Sequence, residues 1–277
     1  MDMICDWDSL LGVLPTWLKA DVNRIGRDSL QELRLRLNRP PELISREGSC
    51  WLRNRVRQED LTFCVNTASA YSPWAAASAA QGYLTLKGGH RIGICGEMVM
   101  KGGVPTAFRS FQSLCIRVSR DFPGIGEKAA EISGSLLILG APGCGKTTLL
   151  RDLVRQRSRT ETVAVADERG EIFPDGFERG MRTDVLTGCP KSVGILQLLR
   201  TMGPQAIAMD EITDPEDCRS LVQASSCGVS LLATAHAGTL QEFQKRPVYR
   251  PLLENRIFSH VLILQRDQTY QVERMEL

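Results

Sequence analysis

The sequence predicts an α/β fold whose second half holds a mostly parallel sheet flanked by helices. Two observations carry this prediction. From Ala129 onward, short apolar runs with strand character alternate with stretches that are apolar at helical spacing, which is typical of a parallel sheet. Before that point, strand-like runs are separated by glycine turns, which indicates a separate small α+β domain. We expect domains over residues 1–122 and 127–277, with the turn-rich stretch Asp121–Gly126 at the boundary.

Composition argues against several classes of protein. The chain of 277 residues is 43% hydrophobic, and its formal charge of +2 gives no strong case for nucleic-acid binding. The sequence has no run of about 20 apolar residues, so no transmembrane span is expected. Asp2, Asp6 and Asp8 without an early basic residue do not fit a secretory signal peptide. The nine cysteines form no C-x-x-C pair, which favours reduced thiols in an intracellular protein.

The first domain contains both helical and strand patterns. Apolar residues recur at helical spacing between Leu10 and Leu18, and the strict alternation over Glu32–Leu37 favours a half-buried strand. An alanine-rich helix is expected over residues 59–80, interrupted at Pro73. Three further strands, separated by Lys-Gly-Gly turns, are expected at Tyr83–Leu86, His90–Glu97 and Ser113–Arg120.

The second domain alternates strands and helices. Its predicted strands are Leu136–Leu139, Thr162–Ala166, Ala206–Met209, Ser230–Thr234 and His260–Gln265. Its predicted helices are Lys146–Gln156, Val193–Thr201, Pro215–Ala224 and Leu240–Lys245.

A glycine-rich stretch between the first of these strands and the first helix matches the phosphate-binding P-loop, Gly-x-x-x-x-Gly-Lys-Ser/Thr. The order of strand, glycine loop and helix is the context that this motif requires. The predicted nucleotide-binding residues are Gly140, Ala141, Pro142, Gly143, Cys144, Gly145, Lys146, Thr147 and Thr148.

Each part of the P-loop has a physical role. Its glycines let backbone N–H groups approach phosphate oxygens closely, and the following helix directs its positive N-terminus at the same anion. Lys146 adds a full charge near the β- and γ-phosphates, and the Thr147 hydroxyl is a ligand for Mg²⁺. The stretch therefore predicts binding of ATP with Mg²⁺.

Two carboxylates follow the apolar strand Ala206–Met209, in the arrangement called Walker B. We expect Asp210 to hold the Mg²⁺ shell together with Thr147, and Glu211 to align the attacking water. The carboxyl end of a strand is where an open α/β sheet binds its ligand.

Two further strand ends carry polar groups. Asp167 and Glu171 belong to an acidic cluster after the second strand, which suits a contact to metal or water and equally suits a charged loop. His236 follows the strand that begins at Ser230, where a polar side chain can contact the γ-phosphate and report its loss.

These four motifs occur in the order found in the secretion ATPases, the hexameric motors of type II and type IV secretion and of pili. The chain resembles that superfamily over roughly residues 50–265. Gly89–Ile92 and Ser113–Arg117 are similar to arginine-bearing strands of its N-terminal domain. The resemblance implies a RecA-like core, a homohexamer, and a role for Arg91 and Arg117 near the triphosphate, where an arginine finger stabilises transition-state charge. Arg120 and Arg200 are alternatives for that role.

Within this superfamily, three stretches look like signatures of the stage III sporulation AA family: Gly82–Gly93, Arg182–Leu186 and Cys189–Lys191. The resemblance implies a cytoplasmic ATPase of the mother cell, peripheral to the membrane through partner subunits. It would energise or assemble a secretion-like channel between mother cell and forespore. Many secretion ATPases have a four-cysteine zinc site, and this sequence has no such cluster, so no structural zinc is expected.

Other functions stay open at this point. One is a RecA-like or single-strand nucleic-acid-binding ATPase, although aromatic residues make up only 6% of the chain. Another is a scaffold that binds ATP and barely hydrolyses it, against which the presence of Lys146, Asp210 and Glu211 argues. A GTPase is disfavoured because no Asn-Lys-x-Asp motif occurs, and a metabolite kinase because Glu211 suits activation of water.

Overall fold

The computed structural model describes residues 3–45, 47–70, 78–265, 267 and 269–275. This chain separates into two compact units. The first holds Ile4–Asp121 together with the short segment Pro174–Phe177. The second holds Phe122–Phe173 and the chain from Glu178 onward. The segment Pro174–Phe177 thus lies in the first unit, although the sequence places it in the second domain.

The first unit is an antiparallel sheet with helices on one face. Its strands lie in the order β3-β2-β1-β6-β5-β4. Its elements are α1 (Trp7–Gly12), α2 (Thr16–Ser29), β1 (Leu30–Arg36), β2 (Glu42–Ser45), β3 (Gly48–Trp51), α3 (Gln58–Ser69), β4 (Tyr83–Thr85), β5 (Arg91–Lys101) and β6 (Val104–Arg117).

The core of the first unit follows from the alternation seen in the sequence. Leu33 and Leu35 of β1 are buried, while Arg34 between them lies on the other face. The helix expected over residues 59–80 ends at Ser69, where Ala70 takes a left-handed conformation with φ of 44°, and residues 78–80 are helical again. Pro73 and the rest of residues 71–77 lie outside the described part of the chain.

The second unit is a seven-stranded sheet in the order β13-β12-β7-β11-β10-β8-β9. All its pairings are parallel except that of β12 with β13. Its elements are α4 (Glu127–Ala130), β7 (Leu136–Leu139), α5 (Lys146–Arg157), β8 (Val163–Asp167), β9 (Thr183–Thr187), α6 (Lys191–Thr201), β10 (Ala206–Met209), α7 (Pro215–Ser226), β11 (Ser230–Ala235), α8 (Leu240–Lys245), α9 (Arg250–Glu254), β12 (His260–Leu264) and β13 (Tyr270–Arg274).

The central strands of this sheet are covered on both faces. Every residue of β7, β8 and β10 is buried, which explains why these strands read as continuous apolar runs. Two separate apolar clusters fill the space on either side of the sheet. The α/β class is therefore confirmed. Because β7, β8, β10 and β11 are parallel neighbours, their carboxyl ends lie along one edge, and the polar residues that follow them meet there.

Candidate active site

The P-loop connects β7 to α5, and its backbone needs glycine. Gly143 and Gly145 have φ of 76° and 99°, in the left-handed region that side chains disfavour. Gly140 has no room for a side chain, because a Cβ atom there would lie 2.5 Å from Cys144 Sγ and 3.2 Å from the carbonyl oxygen of Leu264. The loop ends at Gly145, and Lys146 is the first residue of α5. Backbone N–H groups at this helix start are thus available to an anion.

Lys146 lies largely buried at the centre of the site. Its Nζ donates to the carbonyl oxygens of Gly140 and Ala141, both at 3.0 Å, and to Nδ1 of His236 at 2.9 Å. Burial lowers the pKa of Lys146, because desolvation disfavours its charged form, and the nearby Cys144, Asp210 and Glu211 oppose that shift.

Asp210 is held by hydroxyl groups on both of its oxygens. Thr147 Oγ1 donates to Oδ2 at 2.7 Å, and Thr234 Oγ1 donates to Oδ1 at 2.6 Å. The two residues predicted to hold a metal therefore lie in direct contact, although they are far apart in sequence.

Glu211 follows Asp210 with an unusual backbone conformation, at φ of 39°. Its amide N–H lies 2.8 Å from Thr234 Oγ1 and 3.0 Å from Asp210 Oδ1. Its carboxylate oxygen Oε1 lies 2.9 Å from Nε2 of His236.

His236 joins Lys146 to Glu211. An ammonium group can only donate, so Nδ1 of His236 accepts from Lys146. The neutral ring then carries its proton on Nε2 and donates it to the Glu211 carboxylate. The side chain predicted to sense the γ-phosphate is thus in contact with both Lys146 and the residue expected to align water.

Asp167 organises the loop that follows β8. Its carboxylate accepts the backbone N–H groups of Glu171, Ile172 and Phe173 at 2.8, 3.0 and 3.0 Å. Burial raises the pKa of Asp167, and these three hydrogen bonds oppose the rise. The carboxylate therefore anchors the loop, and a contact from Asp167 or Glu171 to metal or water stays a prediction.

Two hollows lie beside these residues within the second unit. The larger is a cleft of about 570 Å³ lined mostly by carboxylates, including Asp167, Asp210 and Glu211, with Arg169 and Lys191 as basic members. The smaller is an apolar hollow of about 40 Å³ next to the start of α5; its lining includes Phe122, Ile125, Thr148, Leu264 and Tyr270.

The candidate arginines fall into different environments. Arg91 and Arg117 lie in the first unit, directly opposite each other on β5 and β6. Arg117 Nε lies 3.6 Å from a carboxylate oxygen of Glu32, and the Arg91 guanidinium lies 5.3 Å from the centre of the Tyr83 ring.

The two alternatives differ from this pair. Arg120 donates to the carbonyl oxygens of Arg27 and Leu30 at the end of α2, which is a structural use of its side chain. Arg200 is exposed on α6.

Three features of the site had no assigned role in the sequence. Thr234 lies in the buried strand β11, so its hydroxyl had to find a partner in the interior, and that was a usable signal. The contact of Lys191 with Glu211, described below, and the aromatic wall of Phe122 and Tyr270 depend on tertiary packing. No sequence pattern indicates them.

Within the described residues, no helix has the length and apolar character needed to cross a membrane.

Comparison with known proteins identifies the family. Residues 14–273 match the family model described as "Sporulation stage III, protein AA". The chain is 34% identical over 275 residues to Stage III sporulation protein AA of Bacillus subtilis, which covers 92% of this chain and 89% of that protein. Among solved structures, the Legionella pneumophila ATPase DotB matches with a TM-score of 0.58 at 16% identity. The match covers 93% of this chain and 78% of the DotB chain.

The pilus retraction motor PilT, solved with bound ADP, matches with a TM-score of 0.57 at 14% identity. The match covers 84% of this chain and 73% of the PilT chain. These two likenesses concern the fold. The match to the family model and the Bacillus subtilis relative rest on the sequence itself, over nearly the whole chain. The chain therefore belongs to the sporulation stage III protein AA family.

Proposed function

We propose that this protein is a Mg²⁺-dependent ATPase of the secretion type, which energises or assembles a secretion-like channel between mother cell and forespore. One observation carries the proposal. A continuous chain of contacts links Thr147, Asp210, Thr234 and Glu211, and continues through His236 to Lys146. The chain of contacts supports the proposed roles, because it brings Thr147 and Asp210 together with Glu211 and Lys146 at one edge of the sheet.

The residues present fit a nucleotide with its metal. Gly140 has no room for a side chain, Gly143 and Gly145 have left-handed φ, and the loop leads into the start of α5, which suits a polyphosphate. The Thr147 hydroxyl and the Asp210 carboxylate supply the oxygen ligands that Mg²⁺ prefers. Thr147 and Asp210 would hold Mg²⁺, which would supply positive charge against the phosphates.

The protein's own groups would divide the remaining work. Lys146 binds phosphate oxygens by exchanging its contacts to Gly140 and Ala141 for them. Glu211 orients the attacking water, and His236 holds the Glu211 carboxylate in place through Nε2. Breaking the contact between Lys146 and His236 would then be the local event that reports nucleotide binding to the rest of the site.

The nucleobase would lie against the apolar surface beside Thr148, where the hollow of about 40 Å³ is too small to enclose a base. Phe122 and Tyr270 offer aromatic surface to a flat ring, and Leu264 and Ile125 complete an apolar wall. The location next to the start of α5 is consistent with phosphates on the P-loop.

We further propose that the protein is a homohexamer in the cytoplasm of the mother cell. Partner subunits would hold it at the membrane. In that assembly, Arg91 and Arg117 would approach the triphosphate of a neighbouring copy and stabilise transition-state charge. The family membership, and the named relative in Bacillus subtilis, support the sporulation role.

A second candidate is an ATPase that binds single-stranded nucleic acid. The observation in its favour is the solvent-facing side of the first unit's sheet, where Arg36 lies 5.9 Å from the ring centre of Trp51 and Arg91 lies 5.3 Å from that of Tyr83. Arginines beside aromatic rings suit phosphates and stacked bases. Many-fold stimulation of hydrolysis by single-stranded DNA would favour this candidate over the first.

The proposed ATPase is tested with Glu211→Gln. We expect turnover to fall by about 100-fold or more, because removing a water-aligning base costs that order of rate, while nucleotide affinity stays within a few-fold of wild type. Glu254→Gln on the exposed surface of α9 is a matched control and should keep full turnover. Unchanged turnover in Glu211→Gln would remove Glu211 from its proposed role.

A further inference from the structure

The conformation of Glu211 needs support from its surroundings. A positive φ of 39° is rare for a residue with a side chain, and Glu211 lies in a short connection after β10. Its amide N–H is held by Asp210 and Thr234 on one side. Its carbonyl group must be held as well if the residue is to keep one orientation.

Lys191 provides that second hold. Its Nζ donates to the carbonyl oxygen of Glu211 at 2.5 Å and to Thr213 Oγ1 at 3.4 Å. The same Nζ lies 3.2 Å from Asp217 Oδ2, and the two side chains are only 13% and 5% exposed. The lysine charge is therefore balanced inside the protein, and one of its donors is directed at the backbone of Glu211.

The elements around Lys191 fix the position of its side chain. Lys191 begins α6 directly after Pro190, so its backbone lies at a rigid helix start. Asp217 accepts the backbone N–H groups of Thr213 and Asp214 at 3.1 and 3.2 Å, and it lies in the capping box that begins α7. Two helix starts thus hold an ammonium group against the connection that contains Glu211.

We propose that Lys191 is a positioning residue for hydrolysis: it holds the Glu211 backbone in the conformation that directs the carboxylate toward His236 and the attacking water. This inference rests on the proposed function of the same site. Lys191 acts through Glu211 and exchanges no proton in the reaction. Without it, the peptide that joins Glu211 to Ile212 keeps the hydrogen bond from the Ile212 amide to the Thr234 carbonyl at 2.8 Å but loses its hold on the carbonyl side. Glu211 then relaxes from its positive φ, and its carboxylate moves away from His236.

A merely structural lysine would behave differently. If Lys191 only paired with Asp217, its removal would lower stability and leave the turnover of folded protein unchanged. A positioning role predicts a fall in kcat with little change in KM, and a fall that disappears once the Glu211 carboxylate is absent.

The experiment compares Lys191→Met, Lys191→Arg and the exposed control Lys245→Met at the end of α8. The loss of a charge-assisted hydrogen bond predicts a kcat about 10- to 100-fold lower in Lys191→Met, with KM within about three-fold of wild type. Lys191→Arg, which keeps a charged donor, should recover part of the loss, and Lys245→Met should match wild type. In a Glu211→Gln background, Lys191→Met should cause no further loss of turnover.

Hydrogen exchange tests the same idea without relying on catalysis. In Lys191→Met, the amides of Glu211 and Ile212 should exchange about 10-fold faster, while those of β7 stay unchanged. Faster exchange together with a kcat effect that is absent in the Glu211→Gln background supports the inference.

Two results would overturn it: exchange at Glu211 and Ile212 as slow as in wild type, or equal losses of turnover with and without the Glu211 carboxylate. Wild-type protein without any hydrolysis would instead contradict the proposed function, and the exchange comparison would still decide the role of Lys191.

Discussion

The hydroxyl of Thr234 is the contact whose removal tests the site most sharply. Thr234 is fully buried, and its Oγ1 donates to Asp210 Oδ1 at 2.6 Å while it accepts the Glu211 amide at 2.8 Å. Thr234→Val keeps the shape of the side chain and places a methyl group against a carboxylate. The variant therefore removes two hydrogen bonds with almost no change in volume.

The expected cost follows from these contacts. A hydrogen bond to a charged group contributes about 1.5–3 kcal/mol to stability, so the lost bond to Asp210 is the larger part of the cost of Thr234→Val. The Glu211 amide keeps its contact to Asp210 at 3.0 Å, so its loss adds about 1 kcal/mol or less. We expect Thr234→Val to lower the free energy of unfolding of the second unit by about 2–4 kcal/mol. Thr234→Ser keeps the hydroxyl and loses one methyl group, at about 1 kcal/mol.

Native-state hydrogen exchange is the suitable assay. The chain's four tryptophans all precede residue 75, so intrinsic fluorescence reports poorly on the second unit. The amides of β10 and β11 should exchange about 30- to 700-fold faster in Thr234→Val, and much less so in Thr234→Ser. An effect of Val below about 0.5 kcal/mol, or an equal effect of Ser and Val, would refute the account of this contact.

Three further predictions concern other groups. Gly140→Ala should weaken ATP binding more than 10-fold in a fluorescent-nucleotide titration, because its Cβ would lie 2.5 Å from Cys144 Sγ; unchanged affinity would contradict the P-loop geometry. His236→Ala should lower kcat about 10- to 100-fold with nucleotide affinity retained, since Glu211 loses its partner; equal kcat would show that the contact has no role. Burial lowers the pKa of His90 in the folded protein below its value of about 6.5 in the unfolded chain. As pH falls below about 6.5, the unfolded chain therefore binds a proton on this residue before the folded protein does, and the first unit should lose stability. Urea titrations followed by tryptophan fluorescence should show this loss in wild type and a smaller one in His90→Gln.

Much of the second unit was predictable because its signals are local. Its five predicted strands are present, since fully buried strands read as apolar runs, and the P-loop lies between strand and helix as its motif requires. The meeting of Asp210, Glu211 and His236 followed from the rule that parallel strands end at one edge. The hydrogen bonds among these side chains could not be derived from the sequence, since the spacing of residues in a chain does not determine which side chains bind each other.

The misses have physical causes. β9 is half exposed and has no clean alternation, so it was not predicted. β5 continues to Lys101 and β6 begins at Val104, so both strands are longer than predicted. The outer half of this hairpin lies on the surface, and its sequence has no regular alternation of apolar and polar residues.

Two buried polar residues were also missed. Asp152 of α5 had no role in the sequence analysis, and the structure buries it, bound to the Gly126 amide at 2.7 Å and to Arg155 at 2.6 Å. His90 had no role in the sequence, and the structure uses it to bridge the Asp6 carbonyl and the Ser119 amide. The Gly126 amide, the Asp6 carbonyl and the Ser119 amide are all distant in the chain from the side chains that bind them.

ATP hydrolysis at this site is tested most directly by Mg²⁺-dependent turnover of wild type and Lys146→Ala, with molar mass by light scattering. We expect turnover in wild type, its loss in Lys146→Ala, and assembly of a ring with ATP that the variant fails to form. Equal turnover in the two proteins, or a wild type that binds no nucleotide, would contradict this expectation.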